Sequence, residues 1–117
     1  MIDIFDPNWI RVTYGNTMII EISMVNNDTC EPITLDDGEY IVFTVKSKKG
    51  EMVIEKILTS VNADPEDPTC IICEISSEET KLVTGEYLYD CLYVDAANQK
   101  TTFVSSIFQI TPAVGVK

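Results

Sequence analysis

At 117 residues the chain is long enough for one hydrophobic core and too short to divide into two, and 45% apolar residues set it among globular rather than disordered proteins. Nineteen acidic against eight basic residues give a formal charge of −11, which opposes approach to phosphate backbones and anionic lipid, so neither nucleic acid nor membrane is an expected partner. The absence of histidine removes the commonest general base and the commonest neutral metal ligand, excluding histidine-dependent triads and histidine zinc sites.

The chain opens on Met1-Ile2-Asp3-Ile4-Phe5-Asp6, acidic where a signal peptide is basic, and no apolar run approaches the roughly 18 residues of a spanning helix. Synthesis inside the cell is the expectation, with the four cysteines as thiols. Residues 1–9 read as an arm, 10–110 as the folded domain and 111–117 as a tail. No stretch carries the helical spacing of apolar residues over ten positions, whereas alternating runs rich in Val, Ile, Thr, Tyr and Phe recur.

Ile10 to Tyr14 is the first such run. Thr17 to Met24 follows, with Met18, Ile20, Ile22 and Met24 on one face and polar residues opposite, a strand that covers a core on one side. Tyr40 to Lys46 and Met52 to Leu58 flank Ser47-Lys48-Lys49-Gly50-Glu51, whose glycine can take a positive φ, and read as a hairpin. Asn62 to Pro68, with two prolines and three acids, reads as neither helix nor strand but as a crossing between sheets; Cys70 to Ser76 resumes the β pattern.

Ser76-Ser77-Glu78-Glu79-Thr80-Lys81-Leu82 sets a serine cap ahead of two acids, the signature of one short helical turn. After Gly85, the runs Glu86 to Val94 and Thr101 to Ile110 form a second hairpin about Asp95-Ala96-Ala97-Asn98-Gln99-Lys100. About seven strands in roughly a hundred residues indicate an all-β, immunoglobulin-like antiparallel β-sandwich. Tyr89-x-Cys91 has the spacing of a tyrosine corner, while Ile20 and Ile22 stand where an intersheet cysteine would be and Phe43 where a core tryptophan would. The expectation is a sandwich without that disulfide.

The stretch Glu78 to Asp90, with its one-turn helix, glycine and Tyr87-x-Tyr89-Asp90 strand, resembles immunoglobulin-like domains of phage tail and baseplate proteins of Gram-positive bacteria. Tyr40 to Lys46 with its partner strand, and Ser106-Ile107-Phe108-Gln109-Ile110, extend the resemblance over about Leu35 to Ile110. It is similar to the N-terminal domain of baseplate upper proteins, which anchors receptor-binding proteins. The resemblance implies a virion structural protein of a phage or prophage, made in the bacterial cytoplasm and acting through protein partners, including copies of itself. A second expectation, of another class, is a ligand-binding or adhesion module for cell-surface glycan, with Trp9, Tyr14 and Tyr93 as its stacking residues.

Reactive chemistry is sparse. In a β run, Cys70 and Cys73 point to opposite faces, so the pair reads as core or surface thiols rather than a redox or metal motif. Cys73 and Cys91 both read as inward, and their pairing is open. Acids at Asp28 with Glu31, at Asp36-Asp37 with Glu39, and at Asp64 with Glu66 and Asp67 lack the spacing of a calcium loop and read as solvated charge. Lys46, Lys48 and Lys49 read as a soluble hairpin tip. No nucleophile with a base partner is visible, so the expectation is no enzyme, no cofactor and no metal.

The candidate site is an apolar surface instead. If Ile41, Phe43 and Val45 point inward with Tyr87, Tyr89 and Cys91, and Val104, Phe108 and Ile110 likewise, pleating sends Tyr40, Val42, Leu88, Leu92, Phe103 and Ile107 outward. A sheet apolar on both sides requires a cover. The expected cover is either the arm, with Ile2, Ile4, Phe5 and Trp9, or a protein partner.

Overall fold

The computed structural model describes residues 9–25 and 28–113, and they form an immunoglobulin-like β-sandwich of nine strands in two sheets. The strands are β1 (Ile10–Thr13), β2 (Met18–Val25), β3 (Pro32–Ile33), β4 (Tyr40–Lys46), β5 (Met52–Leu58), β6 (Ala63–Asp64), β7 (Asp67–Ile75), β8 (Gly85–Val94) and β9 (Lys100–Thr111). One sheet has the order β1-β9-β8-β4-β5 and the other β3-β2-β7-β6. Every pairing is antiparallel except that of β1 with β9. Two strands beyond the sequence expectation, β3 and β6, are only two residues long.

The alternating pattern of the sequence becomes the core. From the five-stranded sheet, Ile41, Phe43, Val45, Tyr87, Tyr89, Cys91, Phe108 and Ile110 are buried. From the four-stranded sheet, Ile22, Met24, Ile71, Cys73 and Ile75 meet them, and Met18 and Ile20 pack at the margin. Phe43 lies at the centre, its ring 5.6 Å from Tyr89 and 6.4 Å from Phe108, tilted and edge-on arrangements that aromatic quadrupoles favour.

Three local readings change. The stretch read as a plain crossing contains a hairpin: Asp64 and Asp67 pair across Pro65-Glu66, and the Glu66 N–H donates to Asp64 Oδ1 at 2.9 Å. Asp followed by Pro is the chemistry of a type I turn, so the prolines there begin strand pairing rather than prevent it. A short 3-10 helix, Ser60–Asn62, precedes it.

The tyrosine corner is also displaced. The Tyr87 hydroxyl donates to the Val83 carbonyl at 2.6 Å, so the tyrosine two positions before the expected one makes the bond to backbone upstream of the strand.

The third change is a β-bulge in β9. Cys91 opposes Val104 while its neighbour Leu92 opposes Thr102, so Phe103 has no partner on β8. Alternation loses one step there, and Phe103 turns to pack against the core margin. The expectation that it faces outward with Ile107 is corrected.

At the Ser76 end of the sandwich, polar groups close the gap. Ser76 and Glu79 form a capping box: the Ser76 N–H donates to Glu79 Oε1 at 2.9 Å, and the Glu79 N–H donates to Ser76 Oγ at 3.2 Å. Glu79 also accepts from Lys56 Nζ at 2.7 Å. Lys56 stands opposite Phe43 in β5, hence on the core-facing side of an edge strand, and Glu79 gives its charge a partner. The fully buried Thr80 hydroxyl donates to the carbonyls of Asn16, at 2.8 Å, and Ser77, at 3.1 Å, tying the turn to the β1–β2 connection.

Two predictions follow from this end. Thr80→Val retains volume but strips the Asn16 carbonyl of its donor, and should lower unfolding free energy in urea by about 1–3 kcal/mol, with Thr80→Ser largely restoring it. Burial acts to raise the Glu79 carboxyl, but hydrogen bonds from Lys56 and Ser76 outweigh it and hold the group below its ordinary 4.5. A depressed carboxylate contributes stability above that ordinary value and loses it as pH falls through the folded one. Between roughly pH 6 and pH 3 the denaturation midpoint should therefore fall more steeply than in a Lys56→Met, Glu79→Gln double variant.

Candidate interaction surface

The outer face of the five-stranded sheet is fixed by register. Val42 of β4 opposes Ile57 of β5 on one side and Leu92 of β8 on the other, so these three share the face opposite Phe43. Tyr40 and Val94 extend this apolar band toward the start of β4. Four residues further along the strands, Lys46 opposes Met52 and Leu88, and Leu88 opposes Ile107, forming a second band. Between the bands runs a polar row, Ser105–Asp90–Thr44–Glu55.

The structure thus brings five of the six expected residues, Tyr40, Val42, Leu88, Leu92 and Ile107, onto one face, and sets Phe103 elsewhere. Leu88 is 47% exposed, whereas Tyr40, Val42, Leu92 and Ile107 are half-buried by their neighbours. Sequence reasoning missed Ile57 and Met52, 61% and 55% exposed, the most open apolar side chains of the face. Their signal was the alternation of β5, readable once its register on β4 is known. A bulge between Val45 and Lys46 shifts that register.

Covering by the arm is a question on which Ile2, Ile4 and Phe5 lie outside the described residues. Trp9, the arm residue that is described, stands elsewhere, at a cleft between the two sheets, with the Arg11 guanidinium carbon 5.6 Å from its ring centre.

The remaining candidates are dispersed. Tyr14 follows β1, its N–H bonded to Thr111 at the end of β9, whereas Tyr93 opposes Thr101 at the start of β9. About 30 Å of strand separates those ends, so Trp9, Tyr14 and Tyr93 do not form one stacking platform. Lys48 at the hairpin tip pairs with Glu86 at 3.0 Å. Among the described residues no group of three or more His, Cys, Asp or Glu side chains could hold a metal ion.

Cys70 and Cys73 point to opposite faces of β7, opposite Ser23 and Ile20 respectively, and all four cysteines are free thiols. Burial raises Cys73 to about 11, with Lys56 opposing and Glu79 adding to the rise. Burial likewise raises Cys91 to about 12, with Cys73 and Asp90 contributing. Both are therefore neutral thiols at physiological pH, the unreactive state.

No protein-family model matches the chain, and no curated protein matches it in sequence. Among solved structures it is similar to CopC from Methylosinus trichosporium OB3b, with a TM-score of 0.54 and 10% identity, over 92% of this chain and 88% of that one. It also aligns with the immunoglobulin-like domain of mouse leukocyte-associated immunoglobulin-like receptor 1, solved as a strand-swapped dimer, with a TM-score of 0.45 and 16% identity over 95% and 96% of the two chains. At 10% identity the likeness to CopC speaks to fold alone.

One group at the Tyr40 end has a measurable signature. The Tyr93 hydroxyl donates to Glu39 Oε2 at 2.7 Å, and Glu39 Oε1 accepts the Asp36 N–H at 2.7 Å. Burial, then the bond to Glu39 and its charge, and the charges of Asp95 and Asp36, raise this phenol to about 12. A raised phenol contributes stability below its ordinary value of 10 and loses it as pH climbs toward 12. In tyrosinate absorbance, the Tyr93 phenol should titrate well above its ordinary value of 10, and Glu39→Gln should lower it.

Proposed function

We propose that this chain is a non-catalytic assembly domain whose outer sheet face binds other proteins, further copies of itself included. The observation that carries the proposal is the pair of bands of apolar side chains, Tyr40–Val42–Leu92–Ile57 and Met52–Leu88–Ile107, the second interrupted by the exposed Lys46, on the face that the sandwich does not use for its own core. Exposed apolar surface spread over several strands is a feature of association sites, and a charge of −11 keeps such a protein dissolved until its partner is met. The same charge argues for a protein partner over nucleic acid or anionic lipid.

The setting we propose is a phage or prophage tail or baseplate. Its support is the Glu78 to Asp90 segment, with its capped turn and Tyr87-x-Tyr89-Asp90 strand. The turn acts there as a clamp at one end of the sandwich, leaving the sheet face free for contact.

Ile57→Glu with Leu88→Glu tests the proposal, because both side chains are largely exposed and their replacement should change folding stability by no more than about 0.5 kcal/mol. Light scattering of the wild-type chain should show concentration-dependent association, alone or with co-expressed tail components, and the double variant should abolish it. Equal association by the two proteins would sink the proposal.

A further inference from the structure

We propose that a second copy of this chain docks on the outer face of the five-stranded sheet, about a twofold axis running parallel to the strands between β8 and β4. This rests on the assembly reading and narrows it to one partner and one register.

The first ground is charge. On β9, β8, β4 and β5 the outward carboxylates of Asp90 and Glu55 are matched by the outward ammonium groups of Lys46 and Lys100. Glu86, the next outward residue of β8, is paired with Lys48. A chain of charge −11 therefore carries its excess acid away from this face. A strongly basic partner finds no net charge to meet there, whereas a like copy meets no net repulsion at the contact.

The second ground is symmetry. Two copies meeting face to face must lay bands on bands and the row Ser105–Asp90–Thr44–Glu55 on its counterpart, or carboxylates are buried against hydrocarbon. A twofold axis across the strands, through that row, sets Asp90 on the partner's Asp90 and Glu55 on the partner's Glu55. An axis along β8 again sets Asp90 on itself, and one along β4 sets Asp90 on the partner's Glu55. Like charges so opposed are costly.

An axis midway between β8 and β4 has none of these faults and overlaps all four strands. It lays β8 over the partner's β4 and β9 over the partner's β5. Asp90 then meets the hydroxyl of the partner's Thr44, and Glu55 that of the partner's Ser105, each contact made twice. Thr44, 8% exposed, lies in a groove of about 420 Å³ along this face, to which Asp90 and Glu55 also contribute. Sheets stack about 10 Å apart, a gap that a carboxylate and a hydroxyl side chain span with a hydrogen bond between them. Four strands about 4.8 Å apart and four rows about 6.7 Å apart give a footprint of roughly 500 Å² per copy. The pair thus buries about 1,000 Å², the lower bound for a specific interface.

The test is disulfide trapping between exposed positions, in a Cys30→Ser background that removes the exposed native thiol. Glu55→Cys and Ser105→Cys are made as separate proteins, checked for folding by circular dichroism, and incubated with oxidised glutathione alone and mixed. The mixture should form covalent dimer about tenfold faster or more than either protein alone, because only there do the two thiols face each other across the axis. Sedimentation of the unsubstituted chain should show association that strengthens as ionic strength rises from about 20 to 200 mM, since two acidic bodies are brought together. Trapping as fast in either protein alone would overturn the proposed axis. A chain that stays monomeric yet binds co-expressed tail components would overturn the second copy as partner and leave the assembly reading standing. Absence of every association would remove both.

Discussion

Everything in this sandwich depends on Phe43 being enclosed from both sheets without a covalent bond between them. Its ring, flanked by Tyr89 and Phe108, occupies the middle of a core whose other members are aliphatic side chains, Met24, Tyr87 and two neutral thiols. A bulky aromatic offers apolar area in place of a cross-link, and it imposes a condition: the strands around it must keep their phase. β4 and β8 meet that condition by pairing with strands on both sides, so a slip of either would turn the core face outward.

The ends of the sandwich are held by polar groups. At one end Lys56, Glu79, Ser76 and Thr80 form a connected set that ties β5, the turn between β7 and β8, and the β1–β2 connection together. At the other, Glu39 joins Tyr93 to the loop before β4. Each set gives a charged or hydroxyl group a partner at the margin of the core, where an unpaired one would oppose folding. Their opposite pH responses, one weakening in acid and one in strong base, bracket the neutral range in which both hold.

Strands β4, β5, β8 and β9 of the five-stranded sheet could be read from sequence because they alternate over seven or more residues, and the inner and outer sets of β4 and β8 follow from that alternation alone. What failed was what alternation cannot carry. A bulge changes the phase within a strand without any glycine or proline to announce it, and so Phe103 was placed on the wrong face. The Asp64-Pro65 turn is hidden because a proline argues against a strand as readily as it starts the turn between two of them. Ile57 and Met52 belonged to the candidate face all along, but a face shared across strands depends on register, and sequence patterns describe one strand at a time.

The polar row Ser105–Asp90–Thr44–Glu55 gives the outer face a grammar. A uniformly apolar face would accept a partner at many offsets, whereas a surface that repeats greasy, polar, greasy accepts one only where its own hydrogen-bonding groups meet the middle stripe. Displacement along the strands by one such interval would bury Asp90 and Glu55 against hydrocarbon, and the encounter would come apart. In the assembly we propose, the stripe would work as a vernier, adding little to how tightly the domain holds and setting where along the strands holding is allowed.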